Sequence, residues 1–162
     1  MSYRRYIASL LCLFLVVVGF SACSGEDCPI NNTVKGKLAF YDERGRAVSF
    51  SGVLTVSVVR PQGDSVVLNR KSGTSEVLFP LSYAHTIDTI IFDYSGGAVY
   101  DSLYISHIST PTLVSVDCGM AMFHTITSVE STHHMIDTLL LKLSAVDYDE
   151  RENIQVIYRI AD

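Results

Sequence analysis

The sequence predicts an all-β protein, an antiparallel β-sandwich, with a β-barrel as the alternative closure of the same strands. Apolar residues recur at every second position in run after run, the period of strands buried on one face. The runs are short and end in Gly, Pro, Asp and Ser clusters suited to tight turns. No segment sustains the i, i+3, i+4, i+7 stripe with end caps that a helix needs. Roughly nine or ten short strands at this spacing suit a sandwich or a barrel.

Val34, Gly36, Leu38 and Phe40 alternate with Lys35, Lys37, Ala39 and Tyr41, and Asp42-Glu43-Arg44-Gly45-Arg46 breaks the pattern as a turn. Leu54, Val56 and Val58 make the next buried face. Pro61-Gln62-Gly63-Asp64 turns the chain, and Val66 and Leu68 return it as a hairpin. Further alternating runs carry Val77, Phe79 and Leu81; Ile90, Phe92 and Tyr94; Leu103 and Ile105; Ala121 and Phe123; Leu139, Leu141 and Leu143; and Ile154, Val156, Tyr158 and Ile160. Ser72-Gly73, Ser95-Gly96-Gly97 and Cys118-Gly119 punctuate them, and Ser131-Thr132 marks a hairpin tip. Residues 145–153 are too polar for more than a helical turn.

The chain has 162 residues, 48% hydrophobic and 18% charged, with 12 Lys+Arg against 17 Asp+Glu and a net charge of -5. That is length for one domain, and an apolar fraction too high for disorder. The acidic balance offers no cationic stripe for a run of phosphates, so no nucleic acid is expected as a partner.

Arg4 and Arg5 precede an uncharged apolar run over residues 7–20, which fits a signal-peptide core and is short for a membrane span. The run ends in Phe20-Ser21-Ala22-Cys23, which resembles the lipobox of bacterial lipoproteins. The resemblance implies removal of residues 1–22 and acylation of Cys23; several acyl chains on one residue make a stable anchor, at about 0.8 kcal/mol per buried CH2. Residues 23–33 then form a lipidated tether and residues 34–162 a single β-domain. Ser24-Gly25-Glu26-Asp27 resembles the acidic export signal of many Bacteroidetes surface lipoproteins. The expected location is the outer membrane, lipid-anchored, with the domain surface-exposed or facing the periplasm.

Beyond the cytoplasmic membrane disulfides persist, and with Cys23 acylated the mature chain keeps two thiols, Cys28 and Cys118. A bridge between them closes a loop of about 90 residues and contributes about 4 to 5 kcal/mol in the chain-entropy model. The lipobox, Cys28-Pro29, Cys118-Gly119, the repeated Asp-Thr/Ser strand openings and the closing run Asn153-Ile154-Gln155-Val156-Ile157-Tyr158 together resemble an uncharacterised family of Bacteroidetes lipoproteins. That resemblance carries no catalytic residues to transfer.

Five histidines, His85, His107, His124, His133 and His134, invite a metal reading. His133 and His134 point to opposite faces of an extended chain, and no spacing among the five forms a ligand set, so no metal and no cofactor are expected. Asp147, Asp149, Glu150 and Glu152 crowd one solvated stretch instead of pairing as acid and base. Tyr83, Tyr94, Tyr100 and Tyr104 are candidates for a carbohydrate platform, weakened by the lack of Trp. Asp64-Ser65-Val66, Asp88-Thr89-Ile90, Asp101-Ser102-Leu103 and Asp137-Thr138-Leu139 are four Asp, Ser/Thr, aliphatic triplets where composition gives roughly one. They resemble the acceptor motif of a general protein O-glycosylation system of Bacteroidetes envelopes, which makes Ser65, Thr89, Ser102 and Thr138 candidate acceptors. The competing account is structural, with each Asp satisfying turn amides at a strand opening. The expected role is a non-enzymatic envelope lipoprotein that binds an envelope protein or a glycan. The alternatives are a carboxylate- or metal-dependent hydrolase, and a fimbrial or assembly subunit.

Overall fold

The computed structural model describes residues 33–94 and 96–159; the expected signal peptide, Cys23, Cys28 and Ile160 lie outside the described residues. Ten strands and no helix occur among the latter: β1 (Lys35–Tyr41), β2 (Leu54–Val58), β3 (Ser65–Lys71), β4 (Glu76–Pro80), β5 (Ile87–Tyr94), β6 (Val99–Ser115), β7 (Gly119–Ser131), β8 (Ile136–Leu141), β9 (Ala145–Val146) and β10 (Glu152–Tyr158). They form a four-stranded sheet in the order β4-β1-β10-β8 and a six-stranded sheet in the order β3-β2-β5-β6-β7-β9. The fold is all-β with two sheets, as the alternation predicts.

The alternating residues of both sheets meet in one core. Leu38 and Phe40 of β1, Phe79 of β4 and Ile154 and Val156 of β10 join Leu54, Val56, Val58, Ile90, Phe92, Leu103 and Ile105 from the facing sheet, all fully buried. Phe40 meets Phe92 edge-on across the interior at 6.3 Å. At one end of the core the Tyr94 hydroxyl donates to that of Tyr158 at 3.2 Å, and Phe50 packs against both rings. Burial pushes both phenols far up, so they stay neutral. Burying a Phe of this kind contributes about 1.5 to 3 kcal/mol.

Three expectations need correction. The ladder is not wholly antiparallel, because β1 pairs with β10 in parallel, Leu38 opposite Ile154 and Phe40 opposite Val156. Parallel neighbours need a long crossover, and here nearly the whole domain lies between the two strands. Ser131-Thr132 is not a hairpin tip; the chain there leaves the six-stranded sheet and enters the other as β8. The Asp101 carboxylate holds this crossing, accepting from the Thr132 hydroxyl at 2.8 Å and from the backbone N–H groups of His134, Met135 and Ile136 at 2.8, 2.8 and 3.1 Å. Burial works to raise its pKa, and these donors outweigh burial and hold it below the usual carboxylate range. Finally, Leu139, Leu141 and Leu143 do not make a buried face, since Leu141 is exposed and the other two are half-buried. Strand β8 lies at a sheet edge and commits Ile136 to the core instead.

The polar stretch 145–153 forms the short β9 and a turn, without a helix. Asp147 and Asp149 form surface ion pairs with Arg151, while Glu152 accepts from the Tyr41 hydroxyl at 2.8 Å.

Candidate functional site

Two hairpins place a buried polar cluster. Strands β5 and β6 turn over Gly96 and Gly97, both at positive φ, with Asp88 opposite Ile105; His107 therefore lies diagonally across from Asp88 on the same face. The β6–β7 hairpin sets Ser109 directly opposite His124. The four side chains converge where the loop after β4 crosses them.

His107 and His124 are each only 2% exposed. The Asp88 carboxylate accepts from His107 Nε2 at 2.9 Å and from the Ser82 backbone N–H at 2.6 Å, and it forms a close ion pair with Arg60. Arg60 also donates to the Pro80 carbonyl at 3.1 Å. The Ser109 hydroxyl donates to the Ser82 carbonyl at 3.1 Å, so its oxygen accepts from His124 Nδ1–H at 2.9 Å. His107 Nδ1 stands 3.5 Å from the same oxygen. That tautomer leaves His124 Nε2 as a buried acceptor without a donor. The Tyr83 ring stacks on His124 at 5.9 Å, and the two imidazoles meet edge-on at 5.2 Å. Burial first, and His107 second, push the His124 imidazole down to about 4, so it is neutral near pH 7.

Asp, His and Ser thus gather as they do in hydrolases, and the sequence reading missed it. The signal was the register: a hairpin centred on Gly96-Gly97 brings Asp88 and His107 onto one face. The bond directions nevertheless make a lock. The serine proton is committed to a carbonyl, and the carboxylate is shared between Arg60, His107 and a backbone amide. Together they fasten the loop after β4 onto three strands.

The other candidates scatter. His85 is exposed, His133 faces the Ile136 carbonyl at 3.2 Å, and His134 lies 3.3 Å from Asp101. Among the described residues no three His, Cys, Asp or Glu side chains come together as a metal would need. Tyr94 is buried and Tyr83 covers His124, so only Tyr100 and Tyr104 share an open face. That face is the outward side of β6, where Tyr100, Tyr104 and Ile108 are 55%, 42% and 58% exposed and Ile87 of β5 lies beside them. Of the triplet hydroxyls, Thr89 pairs with Tyr104 and Ser102 with Ile91 on this face, and Ser65 opens β3. Thr138 donates to Asp137 at 3.0 Å. Asp88 and Asp101, two of the four triplet carboxylates, accept from loop amides.

Past Ser109 the β6–β7 hairpin continues as an arm. Pro111 pairs with Met122 and Leu113 with Met120, and Thr33 joins Met122 through a single parallel bridge. Thr33, Tyr83, Pro111, Met120 and Met122 line a shallow groove of about 260 Å³. At the turn, the Cys118 N–H donates to Ser115 Oγ at 3.0 Å. Its expected partner Cys28 lies outside the described residues.

No curated protein and no solved structure matches the chain. One family does match, over residues 53–158, a span that contains Cys118-Gly119 and the closing strand β10 and begins after Cys28-Pro29. The chain belongs to this family, a family of unknown function (DUF6452).

Proposed function

We propose that the protein is an outer-membrane lipoprotein of the cell envelope, anchored through acyl chains on Cys23, whose β-domain binds an envelope protein in a non-enzymatic role. The lipobox and the resemblance to Bacteroidetes lipoproteins support the address. One observation carries the binding role: Tyr100, Tyr104 and Ile108 stand in an exposed row along the outward face of β6, with Ile87 beside Ile108. Clustered aromatic and aliphatic side chains on an otherwise polar face are the usual composition of a protein contact.

Affinity isolation from detergent-solubilised envelopes tests the reading. The expected result is one companion protein recovered with the native chain and lost with a Tyr104→Ser, Ile108→Ser variant whose melting is unchanged. A companion retained by that variant removes the row from the argument, and recovery of nothing from acylated protein removes the binding role. Glycans are a separate proposal for Ser65, Thr89, Ser102 and Thr138, read by intact mass and peptide mapping. A glycan on Thr89 sits against Tyr104, so modification there and docking on the row exclude each other.

A further inference from the structure

We propose that the tip of the β6–β7 arm enters the interfacial layer of the lipid bilayer that holds the anchor. This rests on acylation of Cys23 and adds a second membrane contact to it. From Ser102 to Val129 the sequence carries one formal charge, Asp117, in a chain that is otherwise rich in acids. The structure folds this stretch into the hairpin and exposes apolar side chains at its end: Val116 at 92%, Leu113 at 60% and Met120 at 53%, with Val114 beside them. Beyond Pro111 and Met122 the strands continue as Thr112 opposite Ala121, Leu113 opposite Met120 and Ser115 opposite Gly119.

The chain's path puts the bilayer within reach of the tip. Thr33 is bridged to Met122 on the arm itself, and Cys23 precedes it by ten residues. Ten residues span at most about 36 Å, a reach longer than the arm beyond Met122. The tip lies about 15 Å from Met122 at the rise of a strand. The opposite end of β6, at Tyr100, points away from this attachment. A turn leaves backbone groups outside the strand ladder, which limits entry to the headgroup and upper acyl region and leaves Asp117 among headgroups. With one acid and no base on the arm, apolar contact is the source of binding, so salt has little effect.

The chain contains no Trp, so one introduced residue reports alone. Full-length acylated protein carrying Val116→Trp or Tyr100→Trp is reconstituted into phosphatidylethanolamine/phosphatidylglycerol vesicles, and acylation is read by intact mass on the same sample. The expected result is a blue-shifted Val116→Trp emission that brominated acyl chains quench strongly at low and high salt, while Tyr100→Trp is quenched only by aqueous acrylamide. Acylated protein whose two tryptophans are equally open to acrylamide overturns the tip contact and leaves the anchor standing. Protein without acyl chains overturns the anchor reading and this proposal with it. A shift at Val116→Trp that needs an added envelope protein, without bromolipid quenching, assigns the tip to a protein and overturns the lipid contact.

Discussion

Gly36 shows how one residue sets a close approach. It pairs with Phe79 on β4, and a Cβ built at position 36 would stand 2.4 Å from the Phe79 ring. Phe79 is fully buried, so the ring has no free space to retreat into. Gly36→Ala should destabilise the domain by about 1 to 3 kcal/mol, the usual cost of overpacking, measured by urea unfolding. An unchanged midpoint would mean that β4 shifts without penalty. The second residue-scale prediction is a pH dependence. His124 is held down to about 4 in the fold against 6.5 for a free imidazole. Between these values the unfolded chain binds a proton that the folded one does not, so His124 contributes stability that is fully present above pH 6.5 and lost as pH falls to 4. The loss is about 2 kcal/mol once solvent screening is allowed for. Unfolding midpoints between pH 4 and 7.5 should show this slope, and His124→Phe should remove that part of it; an unaltered slope in the variant would assign the titration to another group.

At the scale of elements, β5 and β8 mark the difference between strands that carry the fold and strands that close its edge. Phe92 is fully buried in central β5, whereas Leu141 is 37% exposed on edge strand β8. Phe92→Ala should cost about 3 to 5 kcal/mol in thermal or urea unfolding, and Leu141→Ala about 1 kcal/mol or less. Comparable losses would mean that β8 is better packed than its exposure indicates. Strand legibility follows the same division. Alternation over residues 34–40, 54–58, 90–94 and 154–158 identifies the buried faces because each of those strands has one side on the core. It misleads at Leu139-Leu141-Leu143, where an edge strand spends apolar residues on a half-open face. Strand period is also silent about which sheet a strand joins, so the crossing at Thr132 and the parallel β1–β10 pair were not legible. Edge strand β3 ends in Arg70 and Lys71 and pairs with β2 in a shifted register, two features that discourage addition of a foreign strand. The buried Asp88–His107 cluster is a register effect, readable from the Gly96-Gly97 turn only once the hairpin is assumed.

Across the whole molecule, the path of the chain into the domain bears on the cysteines. Thr33 bridges Met122 in parallel. Cys118 precedes Met122 by four residues and Cys28 precedes Thr33 by five. Both cysteines thus lie within five residues of this bridge along the chain. A disulfide accepts a Cα separation of about 4.4 to 6.8 Å. A Cys28–Cys118 disulfide, expected from the two thiols left in the mature chain, would tie the tether to the turn of the arm, and so couple the anchor to the domain through a covalent bond as well as through the backbone. Peptide mapping without reduction should recover the Cys28 and Cys118 peptides joined. Reduction should lower stability by about 2 to 5 kcal/mol, as loss of a long-loop disulfide does, and Cys28→Ser should reproduce that loss with no further effect of reductant. Quantitative alkylation of both thiols in unreduced native protein would sink the pairing, and a Cys28→Ser variant as stable as the parent would show that the single Thr33–Met122 bridge seats the entering chain by itself.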